Sequence, residues 1–304
     1  MSRTNRFLYH LSAGLATALL GIAPAVAADG VVEIDAACVG VGCFPGDSPG
    51  FPVEITNPGS YKLTSNLDAR VAGDVDAIRI AAVAVTLDLA GFQLISSSVC
   101  SGGTTNTCSP VNNGAGVRIV SQGAVVRNGS ITGFGHGIVS SADFTRLQDL
   151  TVWSNSVEGI FAAQAGNQIV GVSAYGNGSH GIEVGAAGMV RRSTAYGNGG
   201  RGIFAFGDNL LIDNSIYGNR MDGITGGGFS IYARNVIAGN HEHGLHDTAG
   251  GSLVFGNAVS SNAIWGLLFD VNTSAYSENV LSGNGATIFG GGSLLQNACN
   301  GAAC

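Results

Sequence analysis

Ser173-Ala-Tyr-Gly-Asn-Gly-Ser-His-Gly-Ile-Glu-Val184 and, 21 residues on, Thr194-Ala-Tyr-Gly-Asn-Gly-Gly-Arg-Gly-Ile-Phe-Ala205 are two copies of one phrase. The glycine before the Ile recurs at Gly116, Gly137, Gly159, Gly181, Gly202, Gly223, Gly244 and Gly266, with gaps of 21 or 22 residues throughout. A fixed period of that length marks a chain built from stacked units that cannot bury their apolar face alone. Seven residues before the glycine stand Val152, Ala174, Ala195, Ile216, Ile237 and Val259. One residue after it stand Ile138, Ile160, Ile182, Ile203, Ile224, Leu245 and Leu267, so both columns belong to the core.

The 49 glycines, with Asn and Ser between the apolar columns, suit tight turns and oppose helix. A leucine-rich repeat has a similar period. Segments such as Gly226-Gly-Gly228 cannot form its second flank, whereas three short strands fit a unit of this length. Asparagine precedes most of the glycines by four residues, at Asn112, Asn155, Asn177, Asn198, Asn219, Asn240 and Asn262, and Asn284 continues the series. Side chains stacked at the strand spacing of about 4.8 Å can hydrogen-bond to one another, so the column predicts an asparagine ladder at a turn. A second, partial ladder is expected nine residues before the glycine, at Asn128, Asn214, Asn235, Asn257 and Asn279.

On these repeats, from Gly116 to Asn284, and on the preceding segments 51–67 and 85–94, the chain resembles the secreted bacterial right-handed parallel β-helix repeat proteins of the pectin-lyase-like superfamily. The resemblance implies an all-β fold, a single-stranded right-handed parallel β-helix of about 10–11 coils and about 50 Å in length. Residues 1–27 read as a signal peptide, with Arg3 and Arg6 before the apolar run Leu11–Ile22 and Ala25-Val-Ala27 as cleavage site. Residues 28–50 are expected to cap the N-terminus, 51–289 to form the helix with 96–113 as a disulfide-bearing loop, and 290–304 to cap the far end. Secretion or export to the periplasm follows, with no membrane span. The cysteines fall in close pairs, Cys38 with Cys43, Cys100 with Cys108 and Cys299 with Cys304, most simply read as local disulfides.

Removing the signal leaves 11 basic against 20 acidic residues, a net charge of about −9. Scattered arginines and one lysine, Lys62, argue against a nucleic-acid partner. Three columns are candidates for chemistry. Immediately before the glycine run His136, Glu158, His180, Arg201, Asp222, His243 and Trp265, either a coupled set of ionisable groups or the polar face that a solenoid turns to water. The densest part, Asn240-His-Glu-His-Gly-Leu-His-Asp247 below Asp222, makes Asp222, His243 and His246 candidates for acid and base. His241, His243, His246 and Asp247 are candidate ligands for a divalent metal, whether zinc, copper or calcium; exposed histidines are the alternative. Six residues before the glycine, Trp153, Tyr175, Tyr196 and Tyr217 read as a line of rings, either stacked on one another or, with Arg201, binding sugar.

The function expected is carbohydrate or polysaccharide binding in the cell envelope or extracellular space. The alternatives are a polysaccharide lyase, glycoside hydrolase or epimerase, or a purely structural surface protein. Gly135-His136-Gly137 matches a polygalacturonase motif by letter, but the other signatures of that family are absent, as is the Asp-Pro-His triplet of mannuronan epimerases.

Overall fold

A computed structural model describes residues 30–101 and 107–304; the expected signal peptide lies outside the described residues. Each repeat forms one coil, and stacked coils pair strictly in parallel. One face holds eleven strands, one per coil, from Val53–Ile55 through Ile182–Val184, Ile203–Ala205, Ile224–Gly226 and Leu245–Asp247 to Ala286–Phe289. We call it the first face. The other two faces carry the remaining short strands, such as Met189–Arg191 and Thr194–Tyr196 in a single coil. The register is that of the repeats: Ile182 pairs with Ile203, Ala174 with Ala195 and Ala195 with Ile216.

Alternation within three-residue strands sends two side chains inward on the first face and one outward. Ile182 and Val184 are fully buried, as are Ile203, Ile224 and Leu245. Burial of this continuous apolar column supplies the main driving force, at about 25 cal/mol per Å² removed from water. A glycine stands beside it because the chain there passes close to the next coil. A Cβ added at Gly223 would lie 2.7 Å from the carbonyl oxygen of Gly244.

The principal ladder is formed. From Asn155 through Asn177, Asn198, Asn219, Asn240 and Asn262 to Asn284, each Nδ2 donates to the Oδ1 of the next coil at 2.9–3.0 Å. The backbone N–H of each of the first six donates to the same oxygen. Asn112 stands apart from it, its amide donating to Gly133 O and Ser97 Oγ. The second ladder runs Asn214, Asn235, Asn257, Asn279 and then Asn297.

Asn128 does not belong to the second ladder. It occupies the left-handed corner between two faces, at φ 58°, and its amide donates to Asp88. Asp149, Gly171, Arg192, Asp213 and Arg234 hold the same corner at φ 49–65°. The miscount arises because Phe134, whose N–H donates to Asn155 Oδ1, stands in the principal ladder's column only three residues before Gly137.

Pairing extends into both expected caps. Val32–Ile34 pairs in parallel with Tyr61–Leu63, and Gly292–Ser293 and Ala298–Cys299 continue two faces before Ala302–Ala303 folds back antiparallel. The helix Ala36–Val39, capped by Asp35, is the only α-helix among the described residues. No helix there is long and apolar enough to cross a membrane.

All three disulfides are formed between the cysteines that the sequence pairs. Cys38 is bonded to Cys43 in the N-terminal segment, Cys100 to Cys108 in the hairpin, and Cys299 to Cys304 at the C-terminal end. The middle bridge joins the two strands Val99–Cys100 and Cys108–Ser109. That hairpin lies against the first asparagine turn through Cys100 N–H to Ser154 Oγ and Asn112 N–H to Ser156 Oγ.

Candidate functional site

The column His136, Glu158, His180, Arg201, Asp222, His243, Trp265 runs along the first face, beside a second outward column formed by the middle residue of each strand: Phe161, Glu183, Phe204, Thr225 and His246. It is not the exposed charged column that a solenoid shows to water. The side chain of Glu158 is 12 % exposed and that of Asp222 only 2 %. Several of its members replace the solvent with hydrogen bonds to the next coil: His180 Nδ1 accepts from Arg201 N–H, Asp222 Oδ1 from His243 N–H and His243 Nδ1 from Trp265 N–H. An imidazole that accepts at Nδ1 is neutral with its proton on Nε2, so both histidines turn an N–H donor away from the backbone. Burial pushes the pKa of each below the ordinary histidine value, for His180 with help from the Arg201 charge.

Asp222 organises the C-terminal half. Its Oδ2 accepts from Thr225 Oγ1 at 2.6 Å, lies 3.5 Å from His246 Nδ1 and 3.7 Å from Arg201 Nε. Burial alone would raise its pKa, but the bonds from His246, Thr225 and the His243 amide outweigh it and hold the carboxyl below its ordinary range. His246 is raised, first by Asp222 and against the effect of burial, and its Nε2 reaches Asp270 Oδ2 at 3.0 Å. The expected trio of Asp222, His243 and His246 is therefore brought together, the two imidazoles 5.4 Å apart edge to face.

The expected metal set is not. Asp247 occupies an inward position, fully buried, where it accepts from Ser252 Oγ and Ser274 Oγ. Alternation from Leu245 sends His246 out and Asp247 in. His241 is exposed at the turn. Among the described residues no three His, Cys, Asp or Glu side chains group as a metal site. Nor do the cysteines add a thiolate: Cys38, Cys43, Cys100, Cys108, Cys299 and Cys304 are all bridged, so their part is to brace the chain and they supply neither ligand nor nucleophile.

The four aromatic rings lie on another face and stack flat: Trp153 on Tyr175 at 6.0 Å, Tyr175 on Tyr196 and Tyr196 on Tyr217 both at 4.8 Å, with interplanar angles of 10° or less. Ring faces that would meet a sugar are spent on one another, and solvent meets edges and hydroxyls. Arg201 lies beyond the asparagine turn on the first face, so the expected binding residues form two surfaces.

The N-terminal half contains residues that the single column did not suggest. His136 Nδ1 lies 2.9 Å from Glu158 Oε2. Glu183, on the adjacent column, is only 8 % exposed although it points outward, because Phe161 and Phe204 flank it on neighbouring coils. Among the described residues no hydrogen bond reaches its carboxyl. Burial, then the charge of Glu158, pushes its pKa up to about 7. Glu158 itself is also pushed up by burial, but the bond and charge of His136 prevail and hold it low. Arg201 lies over the Phe204 ring at 5.0 Å, and its buried Nε has no hydrogen-bond partner.

Glu183 makes stability pH-dependent. Its folded pKa exceeds that of the unfolded chain, so its ionisation costs stability as pH rises from about 4.5 through about 7. Glu183→Gln is expected to be more stable than wild type at pH 8 by about 2 kcal/mol and equal to it at pH 4, read from urea midpoints. A difference independent of pH would contradict the assignment.

Residues 81–209 match the family model described as right handed beta helix region. No curated protein matches the chain in sequence. Among solved structures it is similar to the periplasmic alginate epimerase AlgG, with a TM-score of 0.60 and 14 % identity over 81 % of this chain and 76 % of that one. The A-module of the Azotobacter vinelandii mannuronan C-5 epimerase AlgE6 gives 0.52 and 16 %, covering 88 % of each chain. The Dettilon tailspike protein gives 0.50 and 14 %, over 77 % of this chain and 52 % of that one. At these identities the likeness is one of fold. The fold is a right-handed parallel β-helix. Within that class the chain has about eleven coils.

Proposed function

We propose that the protein binds a polysaccharide laid along the first face, over the stripe from His136 to Trp265, outside the cytoplasm. The observation that carries this reading is Arg201, whose buried Nε has no hydrogen-bond partner and lies 3.7 Å from Asp222 Oδ2, whose guanidinium lies over the Phe204 ring, and which shares its column with His180 and His243, both accepting at Nδ1. Fixed neutral donors, a cation and apolar ring surface are what hydroxyl-rich rings require, and preorganisation lowers the entropic cost of binding. The polysaccharide-acting epimerases of the same fold support the ligand class, and the three disulfides support an oxidising compartment.

Binding to a glycan array tests this. Arg201→Ala is expected to weaken the recognised glycan about 10-fold, the loss of one charge-assisted contact. Tyr196→Phe, which keeps the ring stack, is expected to bind as wild type. The reverse pattern would move the site to the tyrosines, and a wild-type protein that binds no glycan would end the reading.

A further inference from the structure

The stacked tyrosines hold a chemistry that sugar binding on the first face does not use. Of the seven tyrosines, Tyr9 lies in the expected signal, Tyr61 and Tyr232 are buried, and Tyr276 stacks on Phe269. The other three are cross-strand partners in successive coils, Tyr175 with Tyr196 and Tyr196 with Tyr217, their ring centroids 4.8 Å apart and their planes within 10°. Identical rings in register turn each carbon ortho to a hydroxyl toward its counterpart on the next coil. The hydroxyls are close as well, since Tyr175 and Tyr217 add to burial in raising the pKa of Tyr196. Among the described residues no hydrogen bond holds these three hydroxyls, so each phenol proton can pass to water. Each ring is followed by a glycine, Gly176, Gly197 or Gly218, where an added Cβ would meet nothing within 4 Å, so the rings have room to turn. All six cysteines are bridged, and no thiol competes for an oxidant.

We propose that this stack is a site of oxidative cross-linking, at which Tyr196 and Tyr217 are joined as dityrosine by hydrogen peroxide activated by a haem peroxidase. Tyr217, 42 % exposed, is the ring that the oxidant reaches first. It gives up one electron and its O–H proton, and an electron from Tyr196, whose proton passes to water, fills the vacancy across the stack. A second oxidation of Tyr217 completes the pair of phenoxyl radicals. Their unpaired electrons are shared with the ortho carbons, and a C–C bond forms between one ortho carbon of each ring. The hydrogen on each of these carbons then moves to oxygen, which restores both rings and both hydroxyls. The two electrons and two protons removed reduce one peroxide to two waters. The new bond ties neighbouring coils whose tyrosines are 21 residues apart, and it restricts the unfolded chain as a disulfide does.

The test treats the purified protein, dilute enough to keep molecules apart, with hydrogen peroxide and a haem peroxidase. Dityrosine fluorescence and intact mass follow the reaction, and tandem mass spectrometry of the linked peptides locates the bond. Wild type is expected to give a monomer lighter by two hydrogen atoms, its link between Tyr196 and Tyr217. Tyr196→Phe keeps the ring stack but leaves the nearest phenols, Tyr175 and Tyr217, two coils or about 9.6 Å apart, and its yield is expected to fall about 10-fold or more. Tyr276→Phe is expected to react as wild type. A wild-type protein that yields no lighter monomer overturns the proposal. So does a product linked only between molecules, a link that maps to other residues, or a Tyr196→Phe variant that reacts with the wild-type yield. The glycan reading, which concerns the first face, stands or falls separately.

Discussion

Asn219→Ala is expected to lower the unfolding free energy by about 4 kcal/mol and to move the urea midpoint accordingly, with little change in slope. Asn219 is fully buried and serves four bonds. Its Oδ1 accepts both the backbone N–H and the Nδ2 of Asn198, and its Nδ2 donates to Ala195 O and Asn240 Oδ1. Alanine leaves the buried Asn198 N–H without its acceptor and two buried oxygens short of a donor. Each orphaned group costs about 1–3 kcal/mol. Asn219→Asp separates shape from bonding: it keeps the acceptor and loses the donors. Alanine and aspartate variants as stable as wild type would show that the ladder decorates the coil without holding it.

The second large effect is steric. Gly223→Ala places a Cβ 2.5 Å from Ile237 Cγ2, 2.6 Å from Asn240 Nδ2 and 2.7 Å from Gly244 O. One of these is backbone and another belongs to the ladder, so neither gives way without opening the space between coils. A loss of about 3 kcal/mol is expected, at the upper end of overpacking costs. Gly239→Ala is the informative contrast. That residue has open space around it but sits at φ 62°, so its penalty is conformational and about 1 kcal/mol. Equal midpoints for the two variants would refute the close-approach account of the repeating glycine.

The scaffold was legible because a solenoid repeats its instructions. Ile182, Ile203 and Ile224 announce one inward column, and Asn177, Asn198 and Asn219 another, each position confirming the next. The site was less so, for reasons that differ from residue to residue. Phe161, Glu183, Phe204, Thr225 and His246 share a column but no common chemistry, so Glu183 carries no signature. Its burial comes from rings about 21 residues away on either side. Asp247 could have been placed by strict alternation from Leu245, which buries it as it buries Val184 and Ala205 in the same column. The tyrosine column was visible in the sequence, but whether its rings meet face to face or spread toward solvent depends on side-chain torsions that spacing does not encode. Asn128 shows the remaining weakness: counting back from a glycine fails where one turn is a residue shorter.

The pairing of Asn with Asn on every coil from Asn155 to Asn284 has a consequence for how such a chain changes in evolution. Each unit offers below what it accepts above, so duplicating or deleting one whole unit leaves every joint of the same kind, while adding half a unit breaks the file. The molecule can therefore lengthen only in steps of a single layer, about 4.8 Å each. A glycan lying along it would be measured out in increments close to one sugar ring.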